Sequence, residues 1–410
     1  MAADIRPGDR AHAGAPAGPG TGRPPLRPGA GDEVVVIDKD KVIILAAFLA
    51  VLGVGGYLVH RGGQGRLDAG PSKPSAAGEF RGISLQLNSA HPAVPYEKYI
   101  DQIATTGANT VSLVVSGFQE NCSSTSIFID ARKVPPAERI KKLVARAHSR
   151  KLRVVLMPIV LLENPQSDEW RGKISPTKWD AWWEDYGSFV CHWARIAQDS
   201  GVELLMIGSE LVSTESQTRQ WRRLIARVRK IYTIGRLSYS ANWDHYKVPA
   251  WWGDLDVIGM TTYHDLTGGK APTLENILAG WRPIKKEILA WQKTINRPII
   301  FTEVGWPNQP TCAQYPWDYY RSDKTAPQAQ AACFEAFFQT WIKEPAVAGI
   351  LVWEWRNYEG QNTGPDKDTS YVPCDKPAME VIRRYFHSAG PSRAASRPAS
   401  SRPATIPGGP

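Results

Sequence analysis

The fold class that the sequence predicts is α/β: a (β/α)8 barrel with an N-terminal transmembrane anchor and disordered tails. Three observations predict it. Between residues 79 and 388, eight short apolar segments alternate with amphipathic helical patterns. Such alternation gives a parallel sheet, and eight strands in about 310 residues fit a closed barrel. An open doubly wound sheet would ordinarily carry a Gly-rich phosphate turn after its first strand. Here the first strand runs into "LNSAHPAVPY", which has none.

Residues 1–41 open with Ala, Gly, Pro and Arg, lack apolar periodicity, and are expected to be disordered. Residues 42–59 are an uncharged, largely apolar run of 18, about the minimum for a membrane span. The run lies too deep in the chain, and lacks a small-residue cleavage site, for an ordinary signal peptide. The competing reading is a buried helix of the globular part. Lys and Arg are more numerous before the run than after it, which favours a cytoplasmic N-terminus and an extracytoplasmic domain, periplasmic or extracellular. Residues 60–78 read as a flexible linker, and 389–410 as a Pro/Ser/Ala-rich disordered tail. The net charge of +9 is shared with these appendages, and 79–388 is nearly balanced. The balance gives no case for nucleic acid as a partner.

Within 79–388 the expected strands are "FRGISLQL" (80–87), "TVSLVV" (110–115), "RVVLMPIV" (153–160) and "ELLMIGSE" (203–210). The series continues with "LSYSA" (237–241), "DVIGMTTY" (256–263), "PIIFTE" (298–303) and "GILVWEW" (349–355). Amphipathic helices fill the connections except the fifth, 242–255, which is only weakly helical. All 16 Trp lie between Trp170 and Trp355. Flat aromatic faces serve both a core and a cleft that grips sugar rings. The five cysteines form no CxxC motif and no metal-ligand spacing with His, so neither a metal nor a cofactor is expected. Cys191 and Cys333 sit in helical segments and read as core thiols. Cys122, Cys312 and Cys374 sit in loops, where disulfides are plausible; a Cys312–Cys374 pair is a guess that sequence alone does not fix.

Active residues of such barrels lie at the C-terminal strand ends. Strand four ends in Glu210, strand six in Tyr263 and strand seven in Glu303, while strand eight carries Trp353 and Trp355. A charged carboxyl ending a buried strand is costly unless paired or used. By strict alternation Met206, Gly208 and Glu210 share one side, and Ile299, Phe301 and Glu303 another, which brings both Glu to the rim. One such Glu reads equally well as a rim salt bridge. Two carboxyls facing one gap are what glycosidic cleavage needs, one ionised and one holding a proton.

"IGSEL" (207–211), "DVIGMTTY" (256–263), "FTEVGW" (301–306) and "LVWEW" (351–355) together resemble the clan A glycoside hydrolases, most closely family 113. The resemblance spans roughly 79–388 and implies retaining, endo-β-mannanase-like hydrolysis of a β-linked carbohydrate by a monomeric catalytic domain. It implies Glu210 as acid/base, Glu303 as nucleophile and Tyr263 as the nucleophile's hydrogen-bond partner. Trp353 matches the Trp that floors the sugar site, with Trp355 as the alternative. The chain departs from the clan at Ser209, where Asn commonly bonds the sugar 2-hydroxyl. Asn242 is the candidate replacement, with turn capping as its other reading. Trp243, Trp251 and Trp252 after strand five are subsite candidates, and Trp306 is expected to wall the cleft. Trp179, Trp182, Trp183, Tyr186 and Trp193 form a helical core stripe. Asp244, His245, His264 and Asp265 read as solvated rim residues or as sugar ligands. The rival readings are a carbohydrate-binding barrel without activity, and a hydrolase or transglycosylase of another β-glycan.

Overall fold

The computed structural model describes residues 79–356 and 363–388. The expected disordered tails, the 42–59 span and the linker lie outside them. Among the described residues no helix is long and apolar enough to cross a membrane.

Eight parallel strands close into one barrel in chain order. They are β1 (Phe80–Gln86), β2 (Thr110–Gln119), β3 (Arg153–Leu162), β4 (Leu204–Ser209), β5 (Arg236–Ala241), β6 (Ile258–Thr261), β7 (Ile299–Val304) and β8 (Val347–Val352). The helices are α1 (Tyr96–Ala104), α2 (Ala137–Ser149), α3 (Trp179–Ser200), α4 (Thr218–Arg229), α5 (Leu274–Ile295), α6 (Pro327–Trp341) and α7 (Pro377–Ser388). Every expected strand is present. The weak fifth connection holds no α-helix, only a 3₁₀ turn at Trp252–Asp254.

Local chemistry sets the helix ends. Gly201 adopts φ 78° after α3, the left-handed conformation that terminates a helix and that Gly adopts freely. Thr273 caps α5 by accepting from the Asn276 backbone N–H, and Asn296 closes it in the left-handed region. Pro327 opens α6, where its missing N–H has no helical partner to lose.

Two apolar layers result. Phe80, Val155, Met157, Met206, Ile300 and Leu351 fill the barrel interior. A larger layer lies between strands and helices and includes Ile207, Ile299, Phe301, Trp182 and Trp341. The barrel floor is closed by an Arg236–Glu79 ion pair at 2.6 Å, with the guanidinium 5.8 Å above the Phe80 ring.

Strict alternation fails at the two strand ends that matter. Ile299 and Phe301 face the helices, while Ile300 faces the interior. Glu303 nevertheless turns to the barrel mouth, because the β7 register shifts between Phe301 and Val304. The β4 register shifts likewise between Met206 and Ser209. Such irregularities re-aim a side chain. The Cys312–Cys374 guess also fails: all five cysteines are free, and the Cys312 sulfur packs 3.8 Å from that of Cys333 on α6.

Candidate active site

Glu210 follows β4 with φ 53°, a left-handed conformation uncommon for a side-chain-bearing residue. Hydrogen bonds on both sides hold it there. The Tyr186 hydroxyl donates to the Ile207 carbonyl at 2.6 Å, and the Glu210 N–H donates to the Ser240 carbonyl at 2.8 Å. The Leu211 N–H then donates to the Tyr239 hydroxyl at 2.8 Å. The chain passes so close to Tyr186 that a Cβ at Gly208 would lie 2.3 Å from its hydroxyl oxygen. A strained residue fixed from several sides suits a functional position.

Glu303 is buried at the end of β7. Its carbonyl accepts from Thr262, and its carboxylate accepts a 2.8 Å hydrogen bond from the Tyr263 hydroxyl. Tyr371 backs Tyr263 at 5.8 Å between ring centroids and is itself tied to the Pro316 carbonyl at 2.6 Å. Burial, then the charge of Glu210, pushes the Glu303 carboxyl well above the usual carboxylate range, against Arg171 and the Tyr263 hydrogen bond. Two buried carboxyls that repel in this way favour a state with one proton between them.

Arg171 is a site candidate that the sequence did not point to. Its Nη2 lies 2.5 Å from Glu210 Oε2, with the Arg171 side chain 19% exposed and that of Glu210 8%. Burial works against the guanidinium charge, but Glu210, Glu303 and Tyr263 more than offset it and raise its proton affinity. The available signal was position: Arg171 stands in the loop after β3, at the catalytic end of a barrel strand. Glu354 was missed too. It follows Trp353 through a cis peptide and accepts a short hydrogen bond from Gln86 on β1. Burial raises its carboxyl, and its charge in turn bears on Glu303.

The site thus brings Glu210, Glu303 and Tyr263 together as expected. Trp353 packs against the interior layer at the barrel mouth and stays partly exposed. Trp355 is buried in the strand–helix layer, its backbone N–H donating to the Ser84 carbonyl, so Trp353 is left as the sugar-floor candidate. Trp306 is also core, edge-on to Phe334 at 5.1 Å, and does not wall the cleft. Trp251 and Trp252 are buried, Trp251 stacking on Trp221 at 4.5 Å, because the irregular fifth connection needs apolar filling where a helix is missing. Trp243 is half-buried and stacks on Trp317 at 5.8 Å. Asn242 accepts from the Trp243 N–H through its side-chain oxygen, the turn-capping reading. The buried Ser209 hydroxyl has no hydrogen-bond partner. His264 is not a solvated rim residue: buried between Trp243 and Trp281, it is held neutral with its pKa pushed down to about 4 by desolvation. The α3 aromatic stripe is core, as its periodicity implied.

Known proteins share this architecture. The sequence profile described as Glycoside Hydrolase Family 113 matches residues 92–376. A solved GH113 β-mannanase from Alicyclobacillus acidocaldarius, in complex with ManMIm, is 26% identical with a TM-score of 0.68, covering 76% of this chain and 98% of its own. A GH113 β-1,4-mannanase is 24% identical with a TM-score of 0.66, over 77% of this chain and all of its own. An endo-β-1,4-mannanase from Thermotoga petrophila is 11% identical with a TM-score of 0.52, over 78% of this chain and 79% of its own. At these identities the last two likenesses bear on the fold alone. No curated protein matches the chain.

Proposed function

The chain belongs to glycoside hydrolase family 113 and is a glycoside hydrolase, and from that premise we propose that it cleaves β-1,4-linked mannan with retention, through Glu303 and Glu210. The observation that carries the reading is the pairing of two buried carboxyls at the mouth, one bonded to Tyr263 and the other to Arg171. The Alicyclobacillus relative, a β-mannanase, supports mannan as the substrate class.

In the proposed reaction a Glu303 oxygen bonds to the anomeric carbon as the glycosidic C–O bond breaks. The leaving oxygen takes the Glu210 proton. Water then loses a proton to Glu210 and bonds to the same carbon, and the ester electrons return to Glu303. Tyr263 steadies the Glu303 charge, and Trp353 offers an aromatic face to the sugar ring. Ser209, at the position where Asn commonly bonds the sugar 2-hydroxyl, favours a second reading, another β-glycan, since a hydroxyl reaches less far than an amide. The 42–59 run supports membrane attachment with the barrel outside the cytoplasm.

The test is reducing-end release from β-mannan, β-glucan and xylan oligosaccharides. Mannan is expected to be the best substrate, with Glu303→Ala inactive and folded. Preference for glucan or xylan would move the reading to another glycan. Binding without release, or full activity of Glu303→Ala, would end the proposed mechanism.

A further inference from the structure

We propose that Arg171 and the leaving-group oxygen take turns at Oε2 of Glu210, so that Arg171 sets when Glu210 is an acid and when it is a base. The proposal rests on the roles given to Glu210 and Glu303 above.

The geometry poses a conflict. To cleave the glycosidic bond, Glu210 must present a proton to the departing oxygen. Yet Arg171 Nη2 stands 2.5 Å from Oε2, and a guanidinium there favours the carboxylate. A proton and an arginine N–H do not fit at one oxygen lone pair. The groups that bear on Glu210 come from every side of the mouth: Arg171 after β3, Glu215 after β4, Tyr263 after β6, Glu303 on β7 and Tyr371 before α7. Arg171 is the cation among them, and Glu354 adds a further carboxyl beside Glu303. The resting arrangement therefore suits Glu210 as a base, with the pair's proton on Glu303. Burial of Glu303 and the Glu210 charge act in the same direction.

Exchange calls for side-chain rotation, because the loop backbone is pinned. The Cys122 N–H donates to Glu169 at 3.2 Å, the Ser175 N–H to the Cys122 carbonyl at 2.8 Å, and the Ser213 hydroxyl to the Ile174 carbonyl at 2.6 Å. Gly172 lies against the Trp170 ring, where a Cβ would come within 2.3 Å. The Arg171 side chain itself is one-fifth exposed, and its Nε has no hydrogen-bond partner. It is anchored at Glu210 through its tip.

The cycle balances. Substrate binding puts the glycosidic oxygen at Oε2 and displaces Arg171; the shared proton passes from Glu303 to Glu210. Glu303, now ionised, bonds to the anomeric carbon, and the proton leaves with the aglycone. Arg171 returns to the Glu210 carboxylate. Glu210 next takes a proton from water, whose oxygen bonds to the anomeric carbon as the ester C–O electrons return to Glu303. One proton has entered from water and one has left with the first product.

The test uses a 2,4-dinitrophenyl β-mannobioside, whose leaving group needs no proton, so that steady-state turnover reports ester breakdown. In Arg171→Met, kcat at about pH 5 is expected to fall about tenfold or more, and the deficit to shrink to about twofold near pH 8, where base catalysis of ester breakdown depends less on the guanidinium. The burst of dinitrophenolate is retained. Azide, an anionic nucleophile that needs no base, restores turnover and yields mannobiosyl azide. Arg171→Lys, which keeps the charge, stays within about threefold of wild type. A loss equal at all pH values and untouched by azide would make Arg171 a pocket-shaping residue and overturn the proposal. Should Arg171→Met not fold, Arg171→Gln decides by the same profile. If wild type itself gives neither burst nor turnover, the roles of Glu210 and Glu303 fail and the proposal falls with them; a wild-type burst with an unchanged Arg171→Met profile refutes the Arg171 exchange alone.

Discussion

Glu215 is a fully buried carboxyl whose Oε1 accepts from the Tyr239 hydroxyl at 2.8 Å. Tyr239 also receives the Leu211 N–H, so this carboxyl helps to hold the backbone next to Glu210. Its Oε2 stands 3.5 Å from His245 Nδ1. Burial pushes Glu215 up to about 8, well above the unfolded value near 4.5. The sign follows. Below the unfolded pKa the residue is neutral in both states and folding bears no ionisation cost. As pH rises from the unfolded pKa through the folded one that stability is lost, on the order of 5 kcal/mol at the limit. Glu215→Gln keeps an acceptor for Tyr239 and removes the titration. Thermal unfolding followed from about pH 5 to about pH 9 should show a steeper alkaline fall in wild type than in Glu215→Gln. Parallel curves would mean that Glu215 carries no such cost. Nothing in the sequence singles this residue out, because its burial depends on the packing of α4 and the fifth connection over it.

At the scale of elements, the alternation of apolar strands and amphipathic helices was enough to place all eight strands. The positions of Glu210, Tyr263 and Glu303 at strand ends followed from it. Their orientations did not. The register shifts in β4 and β7 arise from hydrogen bonding with neighbouring strands and from the close approach at Gly208, which periodicity within one segment does not encode. The tryptophans show the same limit. Trp353 and Trp355 stand two residues apart beyond β8, yet one meets the barrel mouth and the other the strand–helix layer. This difference predicts opposite phenotypes. Trp353→Ala should raise KM and lower kcat with little change in melting temperature. Trp355→Ala should cost about 3–5 kcal/mol of stability, as truncation of a buried aromatic does. Chemical denaturation beside kinetics checks both, and a stable, slow Trp355→Ala would reverse the assignment.

At the scale of the molecule, the barrel gathers groups distant in sequence at one mouth. Glu210 and Glu303 come from β4 and β7, three strands apart round the ring, Arg171 from the loop after β3, and Gln86 and Glu354 from its β1–β8 seam. Pairs so far apart in sequence are legible only through a fold hypothesis that says where strand ends meet, which is why the Glu pair was found and Arg171, on a loop, was not. As the nucleophile of a retaining reaction, Glu303 is expected to hold its carboxyl about 5–5.5 Å from that of Glu210. Trapping of the glycosyl-enzyme decides whether Glu303 is that nucleophile. The enzyme is incubated with a 2-deoxy-2-fluoro-β-mannosyl fluoride, or the matching mannobiosyl fluoride, then digested and mapped by mass spectrometry. One added glycosyl group is expected on the peptide bearing Glu303, released by an acceptor sugar with return of activity. A label on Glu210, or continued mannan hydrolysis by fully labelled enzyme, would contradict it.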